Sequence, residues 1–502
     1  MRMPRFRNRV LLLAGAVAFV AACATSATAP ELAIARSIVW RPCYEPVKHL
    51  ECARVAVPLD WNRPTGKQID LSVIRRRASN ARERIGSLFF NWGGPGVAGV
   101  PKVRAMGPQL DAIGKGRFDV VSWDPRGTGE SAPIECFSSE HARMAFWGRD
   151  WSVPTTTAQS SRYITKATAF VRRCASRNGE LLEHVSTADT VRDLDYLRQL
   201  LGDAQLNYRG VSYGSFLGQT YAGMFPQRVR AMVLDGIVDP VAFTSVTEGS
   251  LAKSIADADQ VFDKFQSLCQ SAGSRCALAG RGRVAPRVRA LLARLRRAPI
   301  GTLTYGDALI VLWIRLGSPD TWPGLAVELD KADRGDGSAL ESTAHDVKGF
   351  ILPALDSAVA LQCADKPFPP SPGPQAWPGV IESLTDVSFI SGPVNGWLLW
   401  APCASWPTRS AERYTGPWNA QTKAPILLIG TRFDPNTAYG AAVAAENRLG
   451  NAVLLTHDGY GHTSDADPSA CVDRAMARYL IHLVAPPHGT VCPSNRRPFD
   501  PD

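Results

Sequence analysis

Charge is scarce in this chain. Only 20% of its 502 residues are Asp, Glu, Lys or Arg, against 45% hydrophobic, a balance that excludes disorder and a coiled coil and leaves ample material for a large core. Its 42 glycines and 37 prolines gather into no linker, so one compact body is expected although the length could make several domains. No internal repeat is visible. None of the eleven cysteines forms a CxxC pair, so a zinc or redox centre finds no support, and no metal or cofactor is expected.

The formal charge of +10 resembles a nucleic-acid footprint until its location is considered. Arg2, Arg5, Arg7 and Arg9 precede any acidic residue, and without those four the charge falls to +6. The remaining basic residues are mixed with acids, apart from a run between Arg287 and Arg297 that reads as the solvated face of a helix. Nucleic acid is therefore not an expected partner. After the basic start comes an apolar stretch from Val10 to Ala22, too short to span a bilayer and suited to a secretory signal. Its end, Val20-Ala21-Ala22-Cys23, is similar to the bacterial lipobox, in which cleavage after Ala22 leaves an acylated Cys23 as the first residue; ordinary cleavage between Ala24 and Ala29 is the alternative. With Cys23 as a membrane anchor, ten cysteines remain, an even number in a chain sent to an oxidising compartment. They fall into sequence neighbours, Cys43 with Cys52, Cys136 with Cys174, Cys269 with Cys276, Cys363 with Cys403 and Cys471 with Cys492. Parity does not decide that connectivity. The expected location is extracytoplasmic, on the cell envelope through a lipid on Cys23 or else secreted.

Arg54 to Leu59 and Gln68 to Arg75 alternate as edge strands around a turn at Asn62 to Gly66. Ile85 to Asn91 is an apolar run that stops in Gly93-Gly94-Pro95-Gly96, and Phe118 to Trp123 is another that stops in Asp124-Pro125-Arg126-Gly127. Apolar strands ending in such turns, with helical patterns such as Thr190 to Leu201 between them, predict a mostly parallel sheet covered by helices on both faces. Leu206 to Val211 and Val229 to Asp235 continue it. From Pro240 to about Gly416 the texture changes to helical patterns and then to a Pro- and Trp-rich stretch, as in an inserted cap. Strands resume at Pro425 to Gly430 and Ala452 to Thr456, and a helix at Ala470 to Leu483 is expected to end the fold. The predicted divisions are a signal peptide at 1–22, a linker at 23–36, core at 37–240, a mainly helical cap at 241–416 and core again at 417–502.

The most specific signal is Gly210-Val211-Ser212-Tyr213-Gly214-Ser215, set between a strand and a helical segment. A serine on so tight a turn needs small residues two before and two after it, because larger side chains would collide across the turn. Gly210 and Gly214 meet that need, and Ser212 is the expected nucleophile. A serine hydroxyl requires a histidine base and an acid to orient it, following in the order serine, acid, histidine. Asp434, in the turn after Pro425 to Gly430, and His462, in Gly459-Tyr460-Gly461-His462, obey that order at strand ends, where catalytic groups collect on one rim of a parallel sheet. His457 and Asp458 are the alternates. Two backbone donors are needed for the oxyanion; they are expected from Tyr213 and from Gly93 or Gly94.

The stretches NWGGPG at Asn91 to Gly96, FDVVSWDPRGTGES at Phe118 to Ser131, DLDYLRQLLG at Asp193 to Gly202, Leu206 to Pro240, TRFDPNTAY and DGYGHTS span nearly the whole chain. They resemble the secreted tripeptidyl aminopeptidases of the actinobacterial type, akin to proline iminopeptidases in the α/β-hydrolase superfamily. Trp92 departs from that pattern, standing where relatives carry proline. The resemblance implies an α/β-hydrolase fold and a serine peptidase that releases short peptides from a free N-terminus through an acyl-enzyme. It also implies that Asp124 and Arg126 brace their turn and are not catalysts. An ammonium terminus would not enter an apolar cap unpaired, and Asp365 and Asp239 are the candidate partners. The enzymatic alternative is a carboxylesterase, since the same triad cleaves esters more easily than amides. A peptide-binding lipoprotein on a hydrolase scaffold is the non-enzymatic one, and the intact triad argues against it. Gly94 to Gly99 matches GxGxxG, but export removes the chain from the nicotinamide pool. Asp330 to Glu341 has EF-hand offsets but places Ala332 and Arg334 at ligand positions, so calcium is not expected.

Overall fold

Gly86–Asn91, Phe118–Trp123 and Leu206–Val211 are buried at every residue, as strands covered on both faces must be. They form the middle of a ten-stranded sheet. The computed structural model describes residues 37–500 except 45–48, 256–257, 367, 369–372, 408–409 and 411. The expected signal at 1–22, the linker at 23–36 and Cys23 lie outside the described residues.

In chain order the strands are β1 (Arg41–Pro42), β2 (Leu50–Pro58), β3 (Gln68–Arg76), β4 (Gly86–Asn91), β5 (Phe118–Trp123), β6 (Leu206–Val211), β7 (Val229–Asp235), β8 (Ile426–Phe433), β9 (Ala452–Tyr460) and β10 (Val491–Pro493). Their spatial order is β1-β2-β3-β5-β4-β6-β7-β8-β9-β10. β1, β2, β3 and β5 pair antiparallel, and every pair from β5 through β10 is parallel. The sheet runs one strand further at each edge than the sequence indicates, with β1 beside β2 and β10 beside β9. β10 follows the helix expected to end the fold and pairs with β9, while a disulfide joins Cys471 of that helix to Cys492.

The helices of the first half are α1 (Gly99–Ile113), α2 (Glu140–Trp147), α3 (Thr157–Asn178), α4 (Thr187–Leu200) and α5 (Tyr213–Met224). Between β7 and β8 come α6 (Pro240–Phe243), α7 (Glu248–Ser254), α8 (Ala258–Ala272), α9 (Val284–Arg297), α10 (Tyr305–Leu316), α11 (Trp322–Asp333), α12 (Ser338–Asp365), α13 (Trp377–Val387) and α14 (Ser391–Val394). α15 (Tyr439–Arg448) and α16 (Ala470–His482) complete the set.

Period-two alternation along the strands feeds two separate cores. Met232 and Leu234 of β7 with Ile426 and Leu428 of β8 face Val191, Leu217 and Ala442 of α4, α5 and α15. The intervening Ala231, Val233, Leu427 and Ile429 face Val103, Leu110, Met476 and Leu480 of α1 and α16. A third core belongs to the helices between β7 and β8, with Phe265, Leu309, Trp322 and Leu361 buried in it. Trp147 and Phe170, from α2 and α3, share that core although they precede residue 241 in the chain. All five neighbouring cysteine pairs are disulfide-bonded.

Candidate active site

β6 ends just before Ser212, whose backbone is held at φ 57° and ψ −124°, and α5 begins at the next residue. Few residues with a Cβ adopt that conformation, so the surroundings must impose it. They do so through backbone contact: a Cβ on Gly210 would lie 2.2 Å from the Gly214 carbonyl oxygen, and one on Gly214 would lie 2.4 Å from the Asn91 carbonyl oxygen. The Ser212 N–H donates to the Asp235 carbonyl at 2.9 Å, fixing the turn against the end of β7.

Asp434 follows β8 and is fully buried. Its carboxylate accepts N–H bonds from Asn436 (2.8 Å), Thr437 (2.9 Å) and Thr463 (3.3 Å), and the Thr437 hydroxyl donates to it at 2.7 Å. Both of its oxygens lie 3.0 Å from Nδ1 of His462. With Nδ1–H directed at the carboxylate, Nε2 is left as the proton acceptor. Burial opposes the imidazolium, but the charge and hydrogen bond of Asp434 outweigh it and raise the His462 pKa above the ordinary value. The His462 N–H donates at 2.7 Å to the carbonyl of Gly317, at the end of α10.

Ser212 and His462 line one cavity of about 310 Å³. Trp92 and Gly94 contribute to its wall from the sheet side, and Trp313 and Trp400 from the helical segment. Gly93, at φ 80°, lies so close to the elbow that a Cβ there would stand 2.8 Å from the amide nitrogen of Tyr213. Its own N–H donates to the Asn91 side chain at 2.9 Å. Gly93 is thus already engaged as a donor, and of the two glycines it is Gly94 that faces the cavity.

A model of the α/β-hydrolase fold matches residues 86–263, and a model of TAP-like proteins matches residues 392–492. The chain is 32% identical to serine protease Hip1 of Mycobacterium tuberculosis over 96% of this chain and 95% of that one. It is 30% identical to a tripeptidyl aminopeptidase of Streptomyces lividans over 93% and 90% of the two chains. It is 32% identical to carboxylesterase B of Mycobacterium tuberculosis over 90% and 89%. The chain belongs to the TAP-like α/β hydrolases. It is accordingly a serine hydrolase.

In this TAP-like hydrolase the other residues singled out by sequence fall apart in space. His457 is buried on β9, where Nδ1 meets the Thr431 hydroxyl at 3.2 Å, and Asp458 pairs with Arg432 at 2.7 Å. Neither lines the cavity. Asp124 accepts from the N–H groups of Val100 and Glu130, both at 2.9 Å. Arg126, completely buried, pairs with Asp193 and donates to the carbonyls of Pro58, Leu59 and His184. Asp239 lines the cavity, but its Oδ1 accepts from Arg448 at 2.9 Å and from the N–H of Val241. Asp365 is completely buried behind the wall and receives the hydroxyl and N–H of Thr187. Its pKa is pushed up to about 7 by burial, against the Thr187 hydrogen bonds.

The cavity instead receives the next side chain, Lys366. Burial pulls its pKa down to about 7, with the charge of Asp365 acting the other way. Two further contributors, Thr437 and Gly317, also escaped the sequence reading. The polar turn after Asp434 was a faint signal for Thr437, whereas a backbone carbonyl leaves no signal at all.

Proposed function

We propose that this chain is an exported serine peptidase that removes short peptides from the free N-terminus of peptide substrates, with Ser212, His462 and Asp434 as its triad. The observation that carries the reading is the Asp434–His462 pair facing the same cavity as a serine held in a strained elbow. His462 Nε2 takes the Ser212 proton as the hydroxyl attacks the substrate carbonyl. Asp434 holds the tautomer and offsets the charge that develops on the ring. The amides of Tyr213 and Gly94 receive the oxyanion; Tyr213 opens α5, where N–H groups have no intrahelical acceptor. His462 gives that proton to the amine as the scissile C–N bond breaks, leaving the acyl-enzyme, and the neutral ring then takes a proton from the water that hydrolyses the acyl ester and returns it to Ser212.

Residues 241–416 act as a cap between core segments 37–240 and 417–502. The wall contributed by Trp313 and Trp400 supports a roofed site that takes a chain end and not an internal segment. Asp239, which lines the same cavity, is the acid for a substrate ammonium, since its hydrogen bonds from Val241, Ala242 and Arg448 all fall on Oδ1. The names of the Hip1 and Streptomyces relatives favour peptide substrates. Kinship with a carboxylesterase, and a buried amine in the wall, favour an esterase as the second reading. Free peptides, their N-acetylated counterparts and simple esters separate the two. The peptidase reading expects free peptides to exceed acetylated ones by about tenfold or more in kcat/KM; equal rates move the assignment to an esterase.

Five disulfides agree with an oxidising destination. The proposed anchor is a lipid on Cys23. Mass spectrometry of the mature N-terminus should find an acylated Cys23, and an unmodified residue beyond it as the first would remove the anchor.

A further inference from the structure

Lys366 ends the long, apolar α12 and is only 2% exposed. Among the described residues its Nζ has no hydrogen-bond partner, and no carboxylate lies within ion-pairing distance. The adjacent Asp365 is turned to Thr187. What the ammonium does meet is aromatic: the rings of Phe243 at 4.9 Å and Trp400 at 5.2 Å. Such faces favour a cation but offset only part of what burying a charge costs. An anion is the group that would complete this environment.

The rest of the wall gives the same sign. Lys253 lines the cavity as well, while the one acid among the described lining residues, Asp239, shares its charge with Arg448. Aromatic rings beneath a lone amine, in the same cavity as Ser212 and His462, make a place for a negatively charged part of whatever is hydrolysed.

We propose that the cavity contains a carboxylate subsite, in which Lys366 is the counter-charge to an acidic group carried by the substrate. This rests on the cavity being the hydrolytic site and deepens that reading by naming a substrate class: acyl donors bearing a carboxylate, such as peptides with an acidic residue near the scissile bond. A neutral isostere leaves the amine unpaired and so binds the transition state less well.

The test uses the full chain and two p-nitrophenyl esters that share a leaving group, the butyrate and the monoglutarate. Tripeptide nitroanilides differing only as Glu against Gln form a second pair. The charged member of a hydrolysed pair should exceed the neutral one by about tenfold in kcat/KM, and in Lys366→Met that ratio should fall to about one. In parallel, glutarate should slow fluorophosphonate labelling of the wild-type protein while glutaramide does not. This needs neither a folded variant nor turnover of any ester or peptide. If labelling occurs but no substrate is cleaved, the peptidase reading fails while protection by glutarate still reports the subsite. Equal use of charged and neutral substrates without protection by glutarate overturns the proposal, as does a charge preference that survives in folded Lys366→Met.

Discussion

Two ionisable groups beside the cavity, Asp434 and Lys366, differ in polar satisfaction. On the sheet side, Asp434 is surrounded by donors from Asn436, Thr437, Thr463 and His462. On the helical side, Lys366 Nζ and the indole N–H of Trp313 are buried without a hydrogen-bond partner among the described residues. A group whose job is to hold one geometry gains from saturation, because every extra hydrogen bond narrows its motion. A group whose partner arrives with the substrate must be left open until then. The difference separates machinery that is complete in the free protein from machinery that the substrate completes.

The severest break falls on the complete side. Replacing Ser212, His462 or Asp434 singly should lower turnover by about 10³ to 10⁶ with the fold retained if the three act as the proposed unit. Turnover and circular dichroism on the same preparations check this, and near-normal activity in Asp434→Ala would remove that residue from the triad. Gly214→Ala should come next. The new methyl would press on the Asn91 carbonyl at 2.4 Å, so the elbow must shift; a loss of about 10²-fold or more in turnover is expected. Thermal denaturation would show whether the turn or the whole fold gives way.

A smaller effect should follow Thr437→Val, which removes one of the donors to Asp434 and leaves the others. About a tenfold fall in kcat is expected, with the acid limb of the pH profile displaced. The sign of that limb follows from His462. Its pKa is raised by Asp434, and only the neutral ring can accept the serine proton, so wild-type activity should decline on acidification from a midpoint above that of an ordinary histidine. An Asp434→Asn protein should show the midpoint at lower pH together with its reduced rate.

The smallest effect tests the incomplete side and has the opposite direction. Lys366→Met should raise stability by about 1 to 3 kcal/mol, because an apolar side chain replaces a buried amine. The folded pKa of about 7 is depressed from the usual 10.5, so the unfolded chain binds the proton more tightly between those values and wild-type stability climbs with pH across that window. The advantage of methionine should be greatest at and below pH 7 and should shrink toward pH 10. Asp365, with its pKa raised to about 7, adds a separate loss of stability between pH 4 and 7 that is common to both proteins. Melting temperatures across this range decide the matter; a variant that melts lower at every pH would mean that the amine supports the fold.

The same contrast governs what could be read from the sequence. Ser212, Asp434 and His462, the proposed triad, could be singled out because each sits in a short turn after an apolar strand, where local rules about small residues and chain order apply. That Lys366, next to the candidate Asp365, is the one to line the cavity left no such signal. Neighbours at a helix end point about 100° apart, and only tertiary packing decides which one faces the cavity. α2 and α3 share the core of the helices after β7 through contacts more than a hundred residues away in the chain, beyond any periodicity. β10 is three residues long, Val491-Cys492-Pro493, and too short to carry a pattern.

The bond from the His462 N–H to the Gly317 carbonyl has a consequence for timing. The proposed general base is moored to the end of α10, which also supplies Trp313 to the wall. A chain whose sheet had formed while its insertion was still open would carry serine, acid and histidine in sequence but would lack this mooring and the enclosure over the elbow. Hydrolytic competence is therefore a property of the finished molecule, reached only once the insertion has closed over the elbow.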